Sequence, residues 1–198
     1  MFRITRLPAP WKTLRAGSAP PAFAAAFACI ALGVLAPGAA AQGGDANSVK
    51  ADMLCNLAKF VTWPDAVVAQ NHGQLVVAVL GEDDLAATLA SVLSTRSVNG
   101  KPVFVRFARR VQDVRGCQIV YIADSERAHL SDVTEALKGS ATLTLADNDG
   151  FAAHGGIANF TGAPPNLRFE ICLSRATQSG LKVSSHLLAL AHVVEPAN

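Results

Sequence analysis

Glu82-Asp83-Asp84 sets three carboxylates in a row directly after the apolar run Leu75 to Gly81. The carboxyl end of a strand is where α/β proteins collect catalytic and metal-binding acids. Consecutive acids just ahead of the helical stretch Leu85 to Leu93 also supply an N-cap and complement the helix dipole, and this is the reading adopted. His154-Gly155-Gly156 has the look of an oxyanion loop, yet the chain contains no G-x-S-x-G elbow to carry a nucleophile, so the glycines read as a turn. His186 and His192 lie six apart and fall on different faces of one helix, which cannot chelate an ion as an i, i+4 pair does. His72 and His129 have no neighbouring ligand in sequence, and all five histidines read as structural or surface groups. No cofactor, metal or catalytic constellation is expected, and the protein is read as a non-enzyme.

Cys55, Cys117 and Cys172 are the cysteines that follow the N-terminal leader, and none stands in a CxxC or CxxH spacing. Three thiols permit one internal disulfide at most and leave one over, which keeps a disulfide-linked homodimer open. All three are redox candidates. Lys59, Phe60 and Trp63, with Asn56 one turn earlier, set a cation and two aromatic rings near the end of a helix. Such a cluster suits a partner-binding surface. On an amphipathic helix the commoner arrangement puts the rings in the core and the lysine in water, so both outcomes stay open.

The elements that must position these residues follow from periodicity. Val49, Met53, Leu54, Leu57, Phe60 and Val61 recur at helical spacing, which predicts a helix from Val49 to Trp63 ended by Pro64. Strands are expected at Leu75 to Gly81, Val103 to Phe107, Gln118 to Ile122 and Thr142 to Leu145, with helices at Leu85 to Leu93 and His129 to Leu137. The alternation argues for an α/β fold with a mixed, mainly parallel sheet flanked by helices. Ile157 to Thr161 and Leu167 to Ile171 flank Gly162-Ala163-Pro164-Pro165-Asn166 and read as a C-terminal hairpin. Two terminal helices, Leu173 to Thr177 and Ser185 to Val193, close the chain, the second capped by Ser184 or Ser185.

The N-terminus reads as an export signal. Arg3, Arg6, Lys12 and Arg15 precede Ala22 to Leu35, fourteen residues without a charge, shorter than the ~20 a membrane-crossing helix needs. Pro37 and Gly38 then lead to Ala39-Ala40-Ala41, and cleavage is expected after Ala41. The organisation read from this is a cleavable signal peptide at 1–41, a flexible polar start at 42–48, and one domain at 49–198 in the periplasm. All 15 acids lie beyond residue 41, whereas four of the 17 bases lie before it, so the net charge moves from +2 to −2 on cleavage. No basic patch for nucleic acid remains.

Taken together, Val49-Lys50-Ala51 and Asn56-Leu57-Ala58-Lys59-Phe60-Val61-Thr62-Trp63-Pro64 resemble the opening signature of the YfiR family, of the form VKAxxLYNFxKFxxWP. Further matches run in order through Val98-Asn99-Gly100-Lys101-Pro102-Val103, Gly116-Cys117-Gln118-Ile119-Val120-Tyr121-Ile122, Leu167-Arg168-Phe169-Glu170-Ile171 and Gly180-Leu181-Lys182-Val183-Ser184-Ser185. Cys55 stands where the family often has an aromatic residue and Cys172 where it often has Asn; Cys117 alone sits at a recurrent position. The resemblance implies a small periplasmic regulator that represses an inner-membrane diguanylate cyclase through its periplasmic sensor domain, lowering cyclic di-GMP and disfavouring biofilm. The implied partner is a YfiN-like GGDEF protein, and contact with the membrane would come only through it. The alternative reading is a periplasmic small-molecule-binding protein that signals to a sensor kinase or transport system.

Overall fold

In the computed structural model residues 40–197 are described, so the leader reading of residues 1–41 lies outside it apart from Ala40 and Ala41. The chain opens with helix α1 (Ala40–Lys59), strand β1 (Val61–Thr62), helix α2 (Asp65–Gln70), strand β2 (Leu75–Leu80) and helix α3 (Asp84–Leu93). Next come β3 (Ser97–Val98), β4 (Lys101–Ala108), β5 (Ile119–Ile122), α4 (Leu130–Ala136) and β6 (Leu143–Ala146). The chain ends with β7 (Ala158–Thr161), β8 (Arg168–Ile171), α5 (Leu173–Gln178), β9 (Lys182–Val183), α6 (Ser185–Leu190) and β10 (His192–Val193). Short 3-10 turns precede β5 and α4, at Val111–Val114 and Asp124–His129.

Eight strands form one sheet in the order β10-β8-β7-β6-β5-β2-β4-β3, and β1 pairs with β9 in a separate two-stranded ladder. From β4 through β2, β5 and β6 to β7 every neighbouring pair is parallel. The β7–β8 hairpin is antiparallel, as the turn residues between them predict. The fold is therefore α/β with a mixed, mostly parallel sheet flanked by helices.

Alternate side chains of the central strands feed two cores. Leu75, Val77 and Val79 of β2 join Ile119, Tyr121, Leu143 and Leu145 beneath α1 and α3, while Val76, Ala78 and Leu80 join Val120, Ile122, Val133 and Leu137 on the other face. All six residues of β2 and all four of β5 and of β6 are buried. That double burial is why β2 and β5 are continuous apolar runs rather than alternating ones, and β6 departs from this only at the buried Thr144.

The sequence-based bounds need correction at both ends. Helix α1 starts at Ala40 and includes the polar residues 42–48 expected to be loose; once a helix is docked, each further residue adds a hydrogen bond at small cost. It ends at Lys59 rather than Trp63, because Val61 pairs with Val183 and the Phe60 carbonyl accepts the Ser184 N–H at 2.9 Å, drawing the chain into extended form. Pro64 reinforces this by disfavouring helical geometry at the residue before it. The last helix stops at Leu190, three residues short of its expected end, and His192–Val193 becomes a strand parallel to β8.

Candidate functional site

Helix α1 buries Ala51, Leu54, Leu57 and Ala58 and turns Asp52, Asn56 and Lys59 to solvent, the division its 3.6-residue period dictates. The Lys59 ammonium donates to Asn56 Oδ1 at 3.0 Å. Arg96, just after α3, pairs with Asp52 at 2.7 Å, and Asn99 donates its amide to the Lys59 carbonyl at 3.4 Å. Asp52, Cys55, Asn56, Lys59, Arg96 and Ser97 line an open groove of about 360 Å³. Phe60 is half-buried, with its ring centroid 5.1 Å from that of the exposed His186 on α6. One turn further on the same face of α6 stands Leu190, which is 66% exposed. The end of α1 thus presents a polar groove beside an aromatic and apolar strip.

Trp63 departs from this surface. It is 8% exposed, and its indole Nε1–H donates to the Gln118 carbonyl at 2.9 Å. The Gln118 side chain is itself buried; its amide donates to the Gln74 carbonyl at 2.9 Å and accepts from the Val76 N–H at 2.8 Å and from Asn71 Nδ2 at 3.0 Å. Trp63 therefore pins the turn after α1 to the start of β5, beside a cavity of about 240 Å³. Of the four residues proposed for a partner surface, the structure brings Asn56, Lys59 and Phe60 together at the surface and sends Trp63 inward.

Cys55, Cys117 and Cys172 are buried free thiols. Cys55 packs in the core beneath α1 and Cys117 in the core on the opposite face of the sheet, so the sheet separates them. Burial pushes both thiols up from their ordinary pKa, which holds them in the unreactive protonated form at neutral pH. Cys172 lies 3.4 Å from the Ser174 hydroxyl.

The strand order reverses between β2 and β5, the switch point where open α/β sheets bind ligands beyond their carboxyl ends. Here the carboxylate of Asp83 fills that place. One oxygen caps α3 by accepting the Ala86 N–H; the other accepts the Tyr121 phenol at 2.9 Å and the Asp124 N–H at 2.7 Å. Burial, reinforced by the charge of Asp83, holds the Tyr121 phenol far above its usual pKa, so it stays a donor. Gly81 lies in the left-handed region at φ +84°, and a Cβ there would come within 2.5 Å of the Ser125 hydroxyl, so only glycine fits this crossing. Among the described residues no group of three or more His, Cys, Asp or Glu side chains could hold a metal ion. Gly156 packs its backbone onto the Phe151 ring, consistent with a turn.

Lys50 was missed as a positioning group. It forms a partly buried ion pair with Asp147 just after β6 and stands 5.9 Å from the centroid of the Phe160 ring, tying α1 to the carboxyl end of β6 and to β7. A lysine on an amphipathic helix gives no local sign of a partner 97 residues away. Among the described residues no helix is long and apolar enough to cross a membrane. No curated protein matches the sequence. The YfiR/HmsC-like family model matches residues 47–192, from within α1 to the first residue of β10, and the chain belongs to that family.

Proposed function

We propose that this protein is a periplasmic regulator, exported by cleavage after Ala41, that represses an inner-membrane diguanylate cyclase by binding its periplasmic sensor domain. The observation that carries the reading is the family match over residues 47–192. The surface at the end of α1 supplies a means: Asn56 and Lys59 offer exposed polar groups beside the ring of Phe60 and the exposed Leu190. Repression requires that this surface bind the inactive state of the sensor more tightly than the active one, since only differential affinity shifts such an equilibrium. Cyclic di-GMP then falls while the regulator is bound. The protein would reach the membrane only through its partner.

Affinity capture tests the reading directly, with the secreted protein as bait and detergent-solubilised inner membrane as the source. A membrane GGDEF protein retained by the wild type and lost with Lys59→Glu is the expected result. Retention of a sensor kinase or a transport component, with no GGDEF protein, would move the function to the small-molecule signalling reading.

A further inference from the structure

Between α4, α5 and the amino ends of β6 and β7 lies a polar cavity of about 280 Å³, lined in part by Ser131, Thr134, Lys138, Thr144, His154 and Arg175. It sits away from the groove at the end of α1 and shares no lining residue with it.

Arg175 is the unusual member. Its Nε is buried and has no hydrogen-bond partner, and its guanidinium makes no ion pair with any described residue. Arg175 as a whole is half-buried, but buried donors in folded proteins are almost always satisfied, and a buried donor on a charged group is the costliest to leave without an acceptor. The other charges on the wall do not answer it. Glu135 is held by Lys138 at 3.1 Å, so that pair neutralises itself at the rim. His154 Nδ1 lies 2.9 Å from the Gly150 carbonyl, an atom that only accepts, so Nδ1 carries the proton and donates. Thr144 is buried, and its hydroxyl oxygen accepts the Ile157 N–H at 3.0 Å, which leaves its own proton free to donate. One uncompensated cation and a buried hydroxyl with an unused proton therefore line the same half-open cavity.

We infer that this cavity is a binding site for a small solute bearing one oxyanion, a carboxylate or a phosphate, held by the fork of Arg175 with Thr144 as a second donor. The planar guanidinium matches two oxygens of either group at once, which a lysine in its place could not. A volume near the lower end of ordinary ligand pockets limits the occupant to a compact metabolite. The site stands whether or not the regulator's partner is a cyclase.

The test is a titration of 15N-labelled protein with sodium phosphate and, separately, sodium acetate at matched ionic strength against sodium chloride, following the Arg175 Nε–H resonance and the backbone amides of Thr144 and His154. A saturable shift of these signals with phosphate or acetate, absent with chloride, is expected; which anion saturates at lower concentration identifies a phosphoryl or a carboxylate ligand. Arg175→Gln should weaken that binding about tenfold or more, and Arg175→Lys, which keeps the charge and loses the fork, should fall between. Should Arg175→Gln fail to fold, the wild-type titration and the lysine variant decide. Absence of a saturable shift with both anions, or equal affinity in the arginine variants, overturns the inference.

Discussion

Removing the carboxylate of Asp83 should destabilise the protein far more than its partial exposure suggests. In Asp83→Ala the cap on α3 goes, at a cost of about 1 kcal/mol. The phenol of Tyr121, 1% exposed and locked in its protonated form, then loses its acceptor. An orphaned buried donor costs about 1–3 kcal/mol, giving a total of about 2–4 kcal/mol. For a domain of this size that corresponds to roughly 5–15 °C in Tm. Urea denaturation followed by circular dichroism measures it, and Tyr121→Phe completes a double-mutant cycle. Tyr121→Phe alone should cost about 1 kcal/mol, and the double variant should be more stable than the two single effects predict by about 1 kcal/mol, since the phenylalanine leaves no hydroxyl to strand. A loss below about 0.5 kcal/mol in Asp83→Ala, or strict additivity in the cycle, would show that the switch-point hydrogen bonds do not hold α3 to β5.

Trp63→Ala should lower stability by about 3–5 kcal/mol, because it empties a buried site and removes one of the two hydrogen bonds to the Gln118 carbonyl, which keeps only the Leu143 N–H, whereas Lys59→Ala should change it by less than about 0.5 kcal/mol; thermal melts of the two variants separate core from surface. Because burial raises the pKa of Cys55 and Cys117 above the unfolded value of about 9, the folded state holds their protons more tightly. That contribution is fully present below pH about 9 and is lost as the pH climbs toward the folded values, so stability should decline in alkali and Cys117→Ala should flatten the decline. If the alkaline limb is unchanged in Cys117→Ala, the thiol is not the cause. Intact-mass analysis of the secreted protein should give a chain starting at Gln42, and a membrane-bound species retaining Met1 would refute the export reading.

Much of the architecture was legible because β2 and β5 are buried on both faces and so appear as unbroken apolar runs, while α3 carries its own start signal in the acids before it. The capping role of Asp83 was likewise visible in the acids before Leu85, and the Ser184 cap of α6 in the residue before Ser185. What escaped are two-residue ladders such as β1–β9 and β8–β10, which are too short to carry any periodicity and exist only because distant segments meet. The same holds at the candidate surface. Phe60 and Trp63 are three residues apart and would share a helix face, so the sequence suggests a common fate. The helix ends between them, and the extended step at Val61–Thr62 turns one ring outward and the other onto Gln118. Nor could local pattern reveal the pairing of Lys50 with Asp147 or the unanswered charge of Arg175, since both depend on contacts across the sheet.

Cellular cyclic di-GMP, measured in the wild type, in a deletion of this gene and in a double deletion that also removes the partner cyclase, tests the regulatory account most directly. A bound repressor at a hundredfold excess over its Kd biases the sensor by about 2.7 kcal/mol, and deletion forfeits that bias. Cyclic di-GMP should therefore rise in the single deletion and return to or below the wild-type level in the double deletion. An unchanged level in the single deletion, under conditions where the protein is made, would contradict repression of a cyclase.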